Sequence, residues 1–474
     1  MKKKAVKIIL LLSLLIQLTG CYDYKEPDEI AYIVAVGVDK GDTQNAYNFT
    51  IQFARPSKIT GGGGEEGGSG EETTGIVNVD APSLYTAINL ANHVVSKKFT
   101  LSHTKVIVLS DDLCKESITP MIDSIGRSSD IRPSVYICVA NGKAYDYLKA
   151  VKPSIEINPV KYYQLILESD YTSYIPVNDA QEIYFNFKNN LKQNVLPLVG
   201  ASEGTQKEEG QKQGESGGGE GASGGSSGSG QSGSGGDMST MGQDSSTQGG
   251  GQSGGSEASG MESSQKEKNI PENDEGFEYR MKEYIAGNLD IKKQNAGETI
   301  GGAVFKKDKM IGQITGIEAE IYNILCGKFN EGYAVMSSSK VPDGVITIRL
   351  EQKERPRTDV DIEDEKIIVR TRIYMEGDFI STPQDSVIEE DILSFEEESE
   401  KYIKDALMKF LKKTQEEFNS DIIGYGNYAK RVFLTDKSFY EFGWNDKYNT
   451  AEFDIDVEFN IRRTGLISKK TEGK

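Results

Sequence analysis

Residues 201–270 hold no aromatic residue and, among Leu, Ile and Val, only Ile270, in a run dominated by Gly, Ser, Gln and Glu. Such a stretch cannot bury enough apolar surface to offset the entropy of ordering its backbone, so any fold must be built from the chain on either side of it. The composition predicts a disordered segment. A free Gly/Ser coil of that length has ends roughly 40–50 Å apart, which suits a tether between domains. Expanding a six-residue loop to the same length adds only about 2 kcal/mol of closure entropy, which suits an insertion within one domain as well. A shorter tract of the same kind, Gly61 to Gly75, interrupts the N-terminal region.

The first residues set the location. Lys2, Lys3, Lys4 and Lys7 precede an apolar run from Ile8 to Leu18, broken only by Ser13 and Gln17, and the run closes in Leu18-Thr19-Gly20-Cys21. A charged start, a short apolar middle and small residues at the cut make a signal peptide, residues 1–20. The run is shorter than the about 20 apolar residues that a membrane span needs. A Cys directly after Leu-Thr-Gly matches a lipobox, so the expectation is a lipoprotein bearing S-diacylglycerol and an N-acyl chain such as palmitate on Cys21. Each buried methylene contributes roughly 0.8 kcal/mol, so two or three acyl chains anchor stably. The formal net charge of −19 becomes −23 once the four lysines of residues 1–20 are removed. An acidic chain is repelled by phosphate backbones and anionic headgroups, which argues against a nucleic-acid partner and leaves the lipid to hold the protein at the membrane. Of the remaining Cys114, Cys138 and Cys326, none shows a close metal-binding spacing. A Cys114–Cys138 disulfide and three buried thiols both stay open.

Before the long tract, strand and helix patterns alternate. Ile30–Val38 is nearly continuous apolar sequence, and Tyr47, Phe49, Ile51 and Phe53 alternate with polar residues, predicting a hairpin. Leu84, Ala87, Ile88, Ala91 and Val95 recur at helical spacing, as do Ile118, Met121, Ile122 and Ile125; Val106–Leu109, Val135–Val139 and Val195–Val199 read as strands. From Pro153 to Gly200 the chain is rich in Tyr and Asn and less periodic. Past the tract, Thr299–Phe305 and Met310–Thr315 flank the turn Lys306–Lys309. Thr315 with Glu318 forms a capping box for a helix to about Leu325, with Gly327 beyond it. Val345–Leu350 and Ile367–Tyr374 predict antiparallel strands. A helix capped at Ser394 carries Tyr402, Ile403, Ala406, Leu407, Phe410, Leu411 and Phe418 on one face, and Phe453–Ile461 alternates apolar with acidic residues. The length suits about three domains, and the fold class expected is α/β and α+β, with mainly antiparallel sheets flanked by helices.

These residues resemble the Ger(x)C proteins, the lipoprotein C subunits of nutrient germinant receptors in spore-forming bacteria. The resemblance runs through Gly20-Cys21-Tyr22-Asp23-Tyr24-Lys25-Glu26 and through Ile33–Lys40 with its closing Gly-Val-Asp-Lys. It continues in Ser102-His103-Thr104-Lys105-Val106, in Ile125-Gly126-Arg127 to Ile131-Arg132, and in the stretch from Gly301 to Gly312. Asp421-Ile422-Ile423-Gly424-Tyr425-Gly426, Trp444 and Arg462-Arg463-Thr464-Gly465 complete it. Tyr22 stands where the family usually has Trp, and the Gly-rich tract sits where relatives have a short connection, which favours an insertion over a tether. The resemblance implies three mixed domains: 21–152, then 153–330 interrupted by 201–270, then 331–474. It also implies spore germination as the process and a place on the outer face of the spore inner membrane. The implied partners are the receptor's A and B membrane subunits, with the chain acting through protein–protein contacts.

No catalytic or cofactor-binding constellation stands against that reading. His93 and His103 are the only histidines, no Gly-x-Ser-x-Gly elbow joins a strand to a helix, and Gly61–Gly64 lacks the flanking elements of a phosphate loop. Carboxylate pairs such as Asp361 and Glu363 carry little weight in a chain this acidic. The expectation is therefore not an enzyme, with no catalytic residue, cofactor or metal. Arg127 and Arg132, flanking Asp130, offer either a carboxylate-reading surface or a local ion pair. Trp444 offers an interface anchor or a core residue. The rival function is a solute-binding lipoprotein that captures the germinant itself, which calls for a cleft with clustered aromatic and charged residues; a third, a cell-wall hydrolase, calls for an acidic residue that does not stand out.

Overall fold

The computed structural model describes residues 4–5, 26, 29–43, 46–55, 73–153, 155–156, 158–168, 173–202, 284–289, 291, 295–338, 341–364, 366–381 and 392–463. Apart from residues 4–5, the segment expected as a signal peptide lies outside them, as do Cys21, Gly61–Gly64 and all but the first two residues of the tract at 201–270.

Ile30–Lys40 (β1) and Tyr47–Ala54 (β2) form the predicted antiparallel hairpin, to which Thr74–Ala81 (β3) adds a third strand. After Leu84–Ala91 (α1) and the short Lys98–Thr100 (β4), Val106–Ser110 (β5) pairs parallel with β1. Asp111–Glu116 (α2) and Thr119–Arg127 (α3) lead to Tyr136–Ala140 (β6), parallel to β5. Ala144–Ala150 (α4), Pro159–Leu167 (α5) and Ala180–Asn189 (α6) then precede Val195–Ala201 (β7), parallel to β6. Strands β1, β5, β6 and β7 lack polar–apolar alternation because both of their faces are covered. On one face Ile107, Leu109, Ile137 and Val139 meet Leu84, Leu113, Ile122 and Ile183 of α1, α2, α3 and α6. On the other, Val106, Val108 and Cys138 meet Tyr147 and Leu148 of α4 and Tyr163 of α5.

Gly297–Lys306 (β8) pairs antiparallel with β7, Ala201 opposite Gly297, and Lys309–Ile314 (β9) pairs with β8. The long tract therefore connects two neighbouring strands of one sheet, whose order is β3-β2-β1-β5-β6-β7-β8-β9 with β4 on β1. This sheet is continuous across 152/153, so the regions expected as N-terminal and middle domains share it. Gly316–Cys326 (α7) follows with the expected capping box, Thr315 and Glu318 bonding reciprocally, and Gly327 closes it at φ +64°.

Glu331–Ser338 (β10), Val341–Glu351 (β11), Arg357–Glu363 (β12) and Lys366–Ser381 (β13) form an antiparallel second sheet. Ile392–Glu416 (α8) crosses over to Glu452–Arg463 (β14), which lies parallel to β13, so this sheet is mixed rather than purely antiparallel. Helix α8 begins two residues before Ser394, which is thus in the first turn and not the cap. Phe395, Ile403, Leu407, Phe410 and Leu411 of α8 are buried against Ile373, Met375, Ile455, Val457 and Phe459. At about 1.5–3 kcal/mol for each large apolar side chain buried, that stripe fixes the helix on the sheet. The same core takes in Val195, Val304, Ile314 and Tyr322, so strands of the first sheet and α7 pack together with the second. Gly426–Ala429 (α9), a 3-10 turn at Lys430–Val432, Asp436–Phe442 (α10) and Trp444–Lys447 (α11) fill the stretch before β14. Among the described residues no helix is long and apolar enough to cross a membrane.

Candidate functional site

The runs singled out in the sequence fold into joints between elements. Asp39, at the end of β1, accepts the amides of Ala144 (2.8 Å) and Tyr145 (3.0 Å), tying β1 to the start of α4. Burial raises its carboxyl above the ordinary value, against those two bonds. Asp308, in the β8–β9 turn, accepts from the Ser117 hydroxyl at 2.6 Å, and its own carbonyl takes the Ile118 amide. Gly301, at φ +82°, passes so close to the Ile314 carbonyl that a Cβ would lie 2.5 Å from it, so the start of the 301–312 run tolerates no side chain. Asp421 is fully buried. Its carboxylate accepts the amides of Gly424 (2.8 Å), Tyr425 (3.1 Å) and Gly426 (2.7 Å) and the indole N–H of Trp444 (2.9 Å). Gly424 supplies the φ of +94° that turns those amides inward. Burial raises this carboxyl too, opposed by the four bonds.

A polar seam lies where the segment 173–194 meets α7. Lys328 donates to the Val177 carbonyl (2.7 Å), to Asn178 (2.7 Å) and to Glu182 (2.6 Å). Burial lowers its affinity for a proton, partly restored by Glu182. Lys192, nearly all buried, approaches Glu182 at 3.6 Å and stands 5.3 Å from the centre of the Tyr322 ring. Glu320 on α7 accepts a short hydrogen bond from Ser173, and burial pushes its carboxyl up to about 7 despite that bond. Asn323 donates to the carbonyls of Ser173 (3.0 Å) and Ile175 (2.8 Å). Beside the seam is a cleft of about 350 Å³ lined by Asn178, Glu182, Asn323, Lys328, Glu331 and Arg355 among others. A second cleft, about 390 Å³, is rich in amides and is bordered by Asn186, Asn190, Gln193, Asn194, Lys307 and Asp308. Gln193 joins it to the turn after α8: its backbone amide donates to the Asp421 carbonyl (2.8 Å) and its side-chain oxygen accepts from Lys307 N–H (2.6 Å).

Two family models match the chain: the spore germination protein N-terminal domain over residues 23–201, and the spore germination B3/GerAC-like C-terminal domain over residues 300–465. The chain belongs to the Ger(x)C family of spore germination proteins. The stretch 202–299, which contains most of the Gly/Ser-rich tract, falls between the two matches. Among relatives in Bacillus subtilis (strain 168), the spore germination protein YfkR is 30% identical over 151 residues, 31% of this chain and 38% of YfkR. Spore germination protein KC is 26% identical over 202 residues, 42% of this chain and 49% of that one. The chain thus spans between about two fifths and one half of the length of these curated relatives. The crystal structure of the GerBC protein superposes with a TM-score of 0.47 at 13% identity, covering 90% of this chain and 96% of that one.

Within this Ger(x)C chain the residues proposed from sequence fare differently. Cys21 lies outside the described residues. Arg127 and Arg132 are exposed, and neither forms an ion pair with Asp130 among the described residues, so a fixed local bridge does not form; Ser128 instead holds the amides of Asp130 and Ile131. Trp444 is 2% exposed and bonded to Asp421, so it is a core residue and not a surface anchor. His93 bonds through Nδ1 to the Asn89 carbonyl, in the turn after α1. His103 packs edge-on to Tyr32 at 4.7 Å, and burial together with the charges of Arg132 and Lys105 lowers its pKa. Cys114 and Cys138 are free and buried rather than bridged, their thiols pushed far up by burial. No group of three or more His, Cys, Asp or Glu side chains among the described residues is placed to hold a metal. The seam residues Glu182, Lys192, Glu320 and Lys328 gave no signal in the sequence, because Lys328 and Glu182 lie 146 residues apart.

Proposed function

We propose that this chain is a lipid-anchored accessory subunit of a nutrient germinant receptor, held by Cys21 on the outer face of the spore inner membrane. There it works through contact with the receptor's A and B membrane subunits. The observation that carries the reading is the pair of family matches, which together cover the strands of both sheets and belong to spore germination proteins. The lipobox at Leu18-Thr19-Gly20-Cys21 supports the anchor. The use of Asp39, Asp308 and Asp421 as joints supports a scaffold role, since each carboxylate is engaged by hydrogen bonds within the chain.

Cross-linking mass spectrometry on spore membranes tests this. Links from residues 297–468 to a membrane subunit are expected; links to none of the receptor subunits would overturn the assembly role. Cys21→Ala should release the chain from the membrane, and a variant that stays bound and functional removes the lipid from the account. The amide-rich cleft is the feature that a germinant-capturing subunit would use. Saturable micromolar binding of a germinant, abolished by Gln193→Ala, would favour that second reading.

A further inference from the structure

Leu434 is the most exposed large apolar side chain among the described residues, at 102% of the reference value. Local chemistry does not require this. Thr435 caps α10 by accepting the Ser438 amide at 3.2 Å, which makes Leu434 the residue just before the cap. Helix starts of this kind ordinarily fold that residue against the fourth helical position, here Phe439. Phe433 takes the place instead, its ring edge-on to Phe439 at 5.6 Å and tilted against Phe442 at 5.2 Å. With Phe433 turned in, its neighbours Val432 (48% exposed) and Leu434 are left out in solvent, beside Tyr440 at 56%.

The charge around this tip reverses that of the chain. From Asn427 to Thr435 there is no acidic residue, while Lys430 and Arg431 fall within it, in a protein of net charge −19. Lys430 is shared with Asp436 at 3.0 Å and lies 5.8 Å from the centre of the Tyr440 ring. Arg431 stacks on Tyr428 at 5.0 Å and has no acidic partner among the described residues.

We propose that the loop 430–434, with Tyr440 beside it, is a shallow membrane-contact point that sets Leu434 and Val432 into the headgroup boundary of an anionic lipid surface. The proposal deepens the lipid-anchored reading and rests on it. A stable protein interface buries about 800 Å² on each partner, far more than two projecting aliphatic side chains supply. A bilayer needs only the apolar tip, basic side chains at headgroup level and an interfacial tyrosine, all of which this loop presents. On a chain already tethered by lipid, a contact too weak to recruit the protein by itself still sets its orientation, because the local concentration is high.

The test uses the full-length chain with Leu434→Cys in a Cys326→Ser background, labelled with an environment-sensitive fluorophore. It is reconstituted into vesicles of phosphatidylcholine and phosphatidylglycerol in equal parts and purified by flotation. Val94→Cys, an exposed apolar position after α1, is the comparator. Position 434 should shift to the blue and be quenched by brominated lipid several-fold more than position 94, and the response should fall in phosphatidylcholine alone and in Lys430→Glu/Arg431→Glu. A chain that floats while label 434 stays in water overturns this proposal and leaves the anchor standing. A chain that fails to float overturns both. Shielding of position 434 in spore membranes but not in pure lipid assigns the loop to a protein partner and also overturns it.

Discussion

The two sheets bury the same kinds of residue under opposite constraints. In the first, β1, β5, β6 and β7 are covered on both faces, and their buried polar side chains, Asp39 and Ser110, sit at strand ends. In the second, β12, β13 and β14 keep one face in water. That face carries a lattice of cross-strand ion pairs: Arg370 with Asp361 and with Asp454 (3.9 Å), Arg372 with Asp456 (2.9 Å) and Lys366 with Glu452 (2.9 Å). A carboxylate in the acidic alternation of β14 is exchangeable. One at the seam or in the Asp421 turn is not, because removing it strands buried donors in a medium without water.

The largest effect that would sharpen this contrast is expected at Asp421. Asp421→Ala leaves three amides and the Trp444 indole unpaired and should destabilise by about 3–5 kcal/mol, read from urea unfolding. A change under about 1 kcal/mol would mean that water replaces the carboxylate and that the turn is no joint.

Glu320 should follow with a dependence on pH. Its folded pKa, about 7, lies above the ordinary 4.5, because burial disfavours the charged form more than the Ser173 bond supports it. A raised carboxyl contributes stability below the unfolded pKa and loses it as pH climbs through the folded one. Wild type should therefore lose up to about 3 kcal/mol relative to Glu320→Gln between pH 4.5 and 7. Unfolding free energies of both chains across that range test it, and a difference that stays flat would show an ordinary carboxyl.

Lys328→Met removes the donor to Val177, Asn178 and Glu182 but keeps the apolar stem. About 2 kcal/mol should be lost, as a lower thermal midpoint. The smallest effect belongs to the open face of the second sheet. Arg370→Ala should cost below about 1 kcal/mol and less still in high salt, since exposed pairs are screened. If Arg370→Ala were as damaging as Lys328→Met, the distinction between the two regions would fail.

Where one kind of pattern dominated, the fold was legible. The continuous apolar runs gave β1, β5, β6 and β7, and Thr315, Glu318 and Gly327 marked both ends of α7, because caps and buried strands are written in neighbouring residues. Strand β3 was hidden behind a glycine-rich stretch, and α5 and α6 behind the mixed Tyr and Asn content of 153–194, where tertiary burial of Tyr163 and Ile183 outweighs a weak local pattern. The alternation of β14 showed one buried face but not that β13 runs parallel to it, since a strand's own sequence does not record its partner's direction. Trp444 was open between surface and core until Asp421, 23 residues away, was found beneath it. The acidic composition pointed to lipid as the only membrane device, and the basic, apolar tip at 430–434 emerged only once Phe433 was seen to turn inward.

What this sequence determined by itself is local or compositional: a Gly/Ser tract unable to build a core, the caps, and the strands whose burial is written in consecutive residues. The tertiary structure alone decided that the tract joins two paired strands of one sheet, and that Glu182 meets Lys328 and Ser173 meets Glu320. It also decided which apolar side chains remain in water. The seam contacts depend on residues 146 and 147 positions apart, and whether a charge or a leucine ends up buried is fixed by what the rest of the fold places against it.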